Sequence, residues 1–262
     1  MEKNKRSIFP FLSGIRTNKF VYDDPNLLFE DTFDGTTLDD RKWKRSREEK
    51  RHGELCVWDD AMSFLDGKGH LVLRAEWDEK KKRVRSGAVQ TSGRFYAGYG
   101  YYEASISFPT APGTWGAFWQ MCGNVAFGDG VEIDVIESID NERGEASSAL
   151  HWGGYGKGHK AANSGALKGY DLYDGNFHTF GLERTPEFYV FYVDGKETWR
   201  VLPDVFAPRP YGAFLWLSVE AADWAGAGKE ESIKALPADM LVDYVRVYKT
   251  KPTFTQKQET QI

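Results

Sequence analysis

Glu187-Phe188-Tyr189-Val190-Phe191-Tyr192-Val193-Asp194-Gly195-Lys196-Glu197-Thr198 reads as a β-hairpin. Aromatic and β-branched residues suit a pleated, half-buried surface. Asp-Gly between two such runs supplies the positive φ that a two-residue turn demands. The same signature recurs outward from this point. His70 to Ala75, Gly100 to Phe108, Tyr211 to Val219 and Leu241 to Tyr248 are each short, β-branched or aromatic runs. Gly, Pro or Asp punctuate most of these boundaries. No long helical period competes with them. Many strands in one unit imply an antiparallel sandwich.

The bulk numbers fit that class. At 262 residues the chain can bury a large core as one domain. Its 41% apolar and 28% charged residues are globular proportions. Nine Trp, thirteen Tyr and seventeen Phe suit a sandwich core, and equally a sugar-binding cleft. A net charge of −5 argues against nucleic acid, which needs a basic patch. It suits a neutral substrate, or one whose charge is met locally. Cys56 and Cys122 admit either one disulfide or two free thiols.

No run approaches the roughly 20 apolar residues of a membrane span, so no membrane partner is expected. Met1 to Arg6 is charged like the start of a signal peptide, but Ser7 to Gly14 is too short and too soon interrupted to continue one. The expected location is outside the cell if a leader has been removed, and the cytoplasm otherwise. Residues 1–25 read as an irregular arm, 26–249 as the one folded domain and 250–262 as a polar tail. A monomer is expected.

Val131-Glu132-Ile133-Asp134-Val135-Ile136-Glu137 carries the chemistry. Side chains alternate faces along a strand, so Glu132 and Asp134 share one face. Simple alternation would bury Glu137 on the other, at high cost for a charge. A β-bulge near Val135-Ile136 would return Glu137 to the acidic face. Glu132 and Glu137 are then about four strand steps apart, roughly 13 Å along the backbone. Leaning side chains could close most of that gap. Carboxyl groups about 5–5.5 Å apart serve a retaining glycosidase, and about 6.5–9.5 Å an inverting one. Three acids on one face repel, so at least one should hold a proton near neutral pH. The bland alternative is a solvated acidic strand face, which the apolar and aromatic flanks disfavour.

At this point the chain resembles glycoside hydrolase family 16. Glu132 to Glu137 matches its E-x-D-x-x-E signature, in the bulged form of laminarinases, agarases and carrageenases. The likeness extends over roughly residues 27–249. It includes Phe29 to Gly35, Ala88 to Gly93, Gly98 to Glu103, Gly113 to Trp119 and Val242 to Tyr248. The resemblance implies an all-β fold, a concanavalin A-like β-jelly-roll sandwich of two curved antiparallel sheets. It implies Glu132 as nucleophile, Asp134 as its assistant and Glu137 as acid/base, with no cofactor required for catalysis. The implied partner is a polysaccharide or oligosaccharide, foremost a β-1,3- or mixed-linkage glucan. A galactanase, agarase or carrageenase, a transglycosylase, and a non-catalytic lectin are the alternatives on the same fold.

Further residues follow from the resemblance. Trp115 would line the cleft as a sugar platform, and Trp119 would sit beneath the catalytic strand. Core packing is the competing role for each. His151 would hydrogen-bond near Glu137 or a subsite. The loop from Gly153 to Gly169, with Lys157, His159 and Lys160, reads as solvated and mobile, or else as a rim. Trp216 and Trp224 flank Ser218-Val219-Glu220, where many laminarinase-like members carry an Asn-rich segment. Glu220 is open to two readings, subsite residue or solvent-facing acid. A structural Ca²⁺ would use Asp243 and the backbone of Gly69, since hard oxygen ligands suit it.

Overall fold

The computed structural model describes residues 18–51, 55–122, 130–140, 144–207, 211–222 and 227–253. The described residues form eighteen strands and almost no helix. The first eight are β1 (Leu27–Asp31), β2 (Lys44–Arg45), β3 (Glu48–Arg51), β4 (Cys56–Trp58), β5 (Ser63–Leu65), β6 (Leu71–Asp78), β7 (Arg83–Ser86) and β8 (Ala88–Gln90). Next come β9 (Gly100–Ser107), β10 (Thr114–Cys122), β11 (Val131–Asp140), β12 (Glu145–Trp152) and β13 (Lys160–Asn163). The last are β14 (His178–Arg184), β15 (Tyr189–Val193), β16 (Lys196–Val201), β17 (Ala213–Ala221) and β18 (Ala238–Tyr248).

Seven strands form one sheet in the order β13-β12-β11-β10-β17-β8-β2. Eleven form the other, along β16-β15-β14-β9-β18-β6-β7-β4-β3, with β1 on β18 and β5 on β6. Half of the sixteen pairings among the described strands join strands that are not consecutive in the chain, as β10 with β17 and β9 with β18. One pairing departs from the antiparallel expectation: β4 runs parallel to β7.

The expected hairpin is present. β15 pairs with β16, and Asp194 and Gly195 form the turn with φ of 48° and 73°. Both lie in the left-handed region that a type I′ turn needs. Asp194 tolerates it because its carboxylate is held by the Thr179 amide at 2.9 Å and by His178 Nδ1 at 2.9 Å.

The inward faces of the two sheets share one core. Tyr102, Ala104 and Ile106 of β9 and Val242, Val245 and Val247 of β18 belong to it. So do Phe118 of β10, Ile133 of β11, and Leu215, Leu217 and Val219 of β17. Side chains at every second position are thereby taken out of water, which drives the pairing of the sheets. The outward face of the seven-stranded sheet is left to carry the site.

Cys56 and Cys122 are both buried free thiols. Residues 18–25 carry no helix or strand, yet Phe20 packs edge-on against Phe29 at 5.6 Å. At the other end the Thr250 amide donates to Asn26 Oδ1 at 3.1 Å. No helix among the described residues is long and apolar enough to cross a membrane.

Candidate active site

The acidic strand β11 lies between β10 and β12. Against β10, Trp119 faces Asp134 and Phe118 faces Ile136, so Val135 has no partner of its own. Against β12, Asp134 faces Ala149 and Glu137 faces Ser147, so Val135 and Ile136 together oppose Ser148. This is the β-bulge expected from the pattern of charges. Its cause is visible in burial: Ile133, Val135 and Ile136 all belong to the core. Two consecutive apolar residues go inward, and Glu137 turns outward beside Glu132 and Asp134.

The three acids line a cleft of ≈ 570 Å³. Trp115, Ala117, Trp119 and Met121 of β10 form its floor on one side, and Ser218 and Glu220 of β17 extend it. The register explains the layout. Met121 neighbours Glu132, Trp119 neighbours Asp134 and Ala117 neighbours Glu137. Small Ala117 leaves room beside Glu137, while large Trp119 walls in Asp134.

Asp134 is only 4% exposed. Its carboxyl is held well above the ordinary carboxylate range, first by burial and then by the charges of Glu137 and Glu132. Oxygens of Glu132 and Asp134 and a ring nitrogen of His151 all lie within 4.8 Å of one another. Of the three acids, the middle one is thus the one whose neutral form its surroundings favour. Glu132 and Glu137 are both more accessible than Asp134.

His151 stands opposite Glu132 on β12, with Nε2 3.5 Å from Asp134 Oδ2. The expectation placed it near Glu137 or at a subsite, and it does line the cleft, though not beside Glu137. The antiparallel register puts Ser147 there instead, four residues away. Burial and the adjacent His159 push the His151 imidazole below its ordinary pKa. Its Nδ1 lies 3.0 Å from His159 Nε2.

The tryptophans divide by role. Trp115 is partly exposed in the cleft and faces Glu220 across β17. Trp119 lies beside the catalytic strand rather than beneath it, because β10 and β11 are neighbours in one sheet. Its indole Nε1 donates to Ser218 Oγ at 3.1 Å. Trp216 is not among the described lining side chains. It stacks on Trp119, with ring centroids 4.9 Å apart and planes 8° apart, and packs on Trp58 at 5.0 Å. Glu220 is 3% exposed and lines the cleft, so the solvent-facing reading falls. Trp224 lies outside the described residues.

Asp243 sits where β18 shifts register against β9, between Val242 and Tyr244. Gly69 adopts φ 92°, and a Cβ placed there would lie 3.6 Å from Asp34 Oδ1. Asp243 belongs to no group of three His, Cys, Asp or Glu side chains among the described residues. A Ca²⁺ held through Asp243 and Gly69 would therefore need oxygen ligands beyond a carboxylate cluster.

Tyr155 is the site residue that pattern reading missed. Its hydroxyl donates to Glu132 Oε2, and it lines the cleft with His159. The segment from Gly153 is thus a folded rim at its start. One signal was available: a lone aromatic among four glycines, directly after His151-Trp152.

The model for glycosyl hydrolases family 16 matches residues 52–246. The chain belongs to this family. Among its relatives, glucan endo-1,3-beta-glucosidase A1 of Niallia circulans is 24% identical over 261 residues, covering 86% of this chain and 38% of that one. Keratan-sulfate endo-1,4-beta-galactosidase of Sphingobacterium multivorum is 29% identical over 251 residues, covering 86% of this chain and 56% of that one. The chain thus spans little more than a third to a half of those relatives' lengths. A family 16 hydrolase from the mixed-linkage-glucan locus of Bacteroides ovatus, solved with product, superposes with a TM-score of 0.74. It is 22% identical and covers 84% of this chain and 99% of that one. The family fold, an all-β jelly roll, and membership among glycoside hydrolases follow.

Proposed function

We propose that this family 16 chain is a retaining endo-β-glycosidase that hydrolyses a neutral β-1,3- or mixed-linkage glucan by double displacement. The observation that carries it is the bulge at Val135-Ile136, which sets Glu132 and Glu137 on one cleft face on either side of Asp134. Glu137 gives its proton to the glycosidic oxygen while Glu132 attacks the anomeric carbon. The leaving chain departs, and a glycosyl ester forms on Glu132. Glu137, now ionised, takes a proton from water, whose oxygen displaces Glu132. Each inversion at the anomeric carbon cancels the other, so configuration is retained.

Asp134 assists because its site favours the neutral carboxyl. A third negative charge here would oppose both the ionised nucleophile and the re-ionised Glu137. Trp115 offers a flat apolar face to a pyranose ring, and Glu220 beside it accepts from sugar hydroxyls. The lining favours a neutral glycan: it has four carboxyl residues and no Lys or Arg among the described lining residues. A sulfated chain would enter against that field. The glucan assignment is supported by the names of the Niallia and Bacteroides relatives.

The deciding experiment is a panel of laminarin, mixed-linkage β-glucan, agarose, carrageenan and keratan sulfate, read by new reducing ends. Cleavage of the first two, lost in Glu132→Gln and Glu137→Gln, is expected. Proton NMR of the first product should show the β-anomer. Cleavage that survives in both variants, or initial release of the α-anomer, would overturn the mechanism.

A further inference from the structure

Tyr155 stands at the tip of the turn that leaves β12. Tight backbone contact builds this turn. Gly153 has φ 79°, and a Cβ there would lie 2.2 Å from the carbonyl oxygen of Gly158. A Cβ on Gly158 would in turn meet the Gly153 carbonyl at 3.0 Å. The His159 amide donates to the Gly156 carbonyl at 3.0 Å and closes the loop. The two ends of the β12–β13 loop therefore pack closely, and only glycine permits the approach at 153. The tip that results is directed over the acidic strand.

Three contacts fix the Tyr155 side chain there. Its hydroxyl donates to Glu132 Oε2. The Tyr155 hydroxyl oxygen also lies 3.9 Å from Met121 Sδ, the floor residue next to Glu132 in register. Its ring sits 6.2 Å from that of His159, which in turn touches His151. Yet the residue is 52% exposed, unusual for a large aromatic on this protein. A core role does not account for such a side chain. A hydroxyl anchored on a carboxylate, with a ring face open to the cleft, does.

From this geometry we infer that Tyr155 is a positioning residue for Glu132, holding Oε2 so that the attack on the anomeric carbon is made by Oε1. This rests on the assignment of Glu132 as nucleophile. An oxygen that accepts a strong hydrogen bond has less electron density to donate, so nucleophilicity shifts to its partner. The hydroxyl also favours the ionised form of Glu132, as any donor to a carboxylate does. After attack, the Oε1–carbon ester bond has formed and Oε2 has become the carbonyl oxygen. When water displaces Glu132, negative charge returns to the carboxylate and the Tyr155 hydroxyl again meets it. The donor thus serves both half-reactions without itself losing a proton. The exposed ring face adds a stacking surface for the sugar unit beside the scissile bond.

Two variants separate hydroxyl from ring. In Tyr155→Phe the ring and loop are kept and the donor is lost. On laminarin or mixed-linkage β-glucan, kcat should fall about tenfold, as loss of a charge-assisted hydrogen bond implies. KM should stay within about twofold. The acidic limb of kcat/KM, which follows ionisation of free Glu132, should move to higher pH. In Tyr155→Ala the ring is lost too, and KM should rise in addition. Titration of the Glu132 carboxyl by carbon NMR, in wild type and Tyr155→Phe, reads the same effect without turnover and should show a higher pKa in the variant. An unchanged kcat, acidic limb and Glu132 titration in Tyr155→Phe overturns the positioning role while leaving the glycosidase reading intact. A wild-type protein that cleaves no polymer of the panel overturns both.

Discussion

The Ser148 hydroxyl donates to the Val135 carbonyl at 2.8 Å, across the place where two residues of β11 oppose one of β12. A bulge leaves a backbone group without its ladder partner, and a buried carbonyl without a partner is costly. Ser148 supplies that partner from the strand next door. Ser148→Ala should therefore cost about 1–2 kcal/mol of stability. It should also lower kcat more than it raises KM, because Glu137 follows the bulge. Urea unfolding and steady-state kinetics check the two effects.

The bulge also predicts the outcome of deletions. Removing Val135 alone leaves Ile136 inward and Glu137 outward on a regular strand. Such a variant should fold and keep measurable activity. Removing Val135 and Ile136 together places Glu137 on the core face, where its charge cannot be solvated. That variant should be inactive and poorly folded. Activity equal in the two deletions would refute the face assignment.

Asp134 gives a pH prediction. Its folded-state pKa is raised, so between the unfolded value near 3.8 and the folded one the native protein holds more protons than the unfolded chain. Stability must then fall as pH rises through that window, and the loss is complete above the folded pKa. Asp134→Asn mimics the neutral acid and removes this loss. Its stability should exceed wild type at pH 8, and the two should converge near pH 4. Urea midpoints at both pH values test this; a variant less stable than wild type at pH 8 would argue for an ionised Asp134.

The tryptophans should respond differently. Trp216 is 8% exposed and stacks between Trp119 and Trp58. Trp216→Ala should cost about 3–5 kcal/mol, the usual loss for a buried aromatic. Trp115, partly exposed in the cleft, should behave in the opposite way. Trp115→Ala should leave the melting temperature within a few degrees but raise KM about tenfold or more, reflecting lost stacking. Thermal melts and kinetics on one polymer distinguish them.

Arg184 lies fully buried between the sheets. Its guanidinium reaches Gln120 Oε1 at 3.1 Å and the Tyr211 carbonyl at 3.0 Å, over the rings of Tyr102 and Tyr189. Gln120 is the inward neighbour of Trp119 on β10, so this fork braces the cleft floor from below. Arg184→Ala should lose about 3 kcal/mol or more, since buried acceptors are left without a donor. Arg184→Lys should recover only part, because a single ammonium cannot span the planar fork. Urea unfolding of both variants measures the difference.

Much of this was legible in the chain itself. Strand pairing of β15 with β16 follows from Asp194-Gly195, because turn chemistry is local. The bulge follows from Val135-Ile136 between acids, because alternation has period two and a buried charge is expensive. The face of Trp115 and Trp119 follows from the same period. These are short-range rules, and a sequence states them directly. Other features needed the fold. Trp119 meets Trp216 only because β10 and β17 are neighbours, nearly a hundred residues apart. His151 serves Asp134 and not Glu137 because of the register of β12 on β11. That Asp134 is the acid whose neutral form is favoured depended on its burial, which follows from packing and not from spacing. Tyr155 reaches Glu132 only through a glycine turn whose path no periodicity encodes. The chain by itself determined which residues face which side of each strand. Tertiary structure decided which of them meet, since contact across a sheet depends on register and strand order rather than on spacing along the chain.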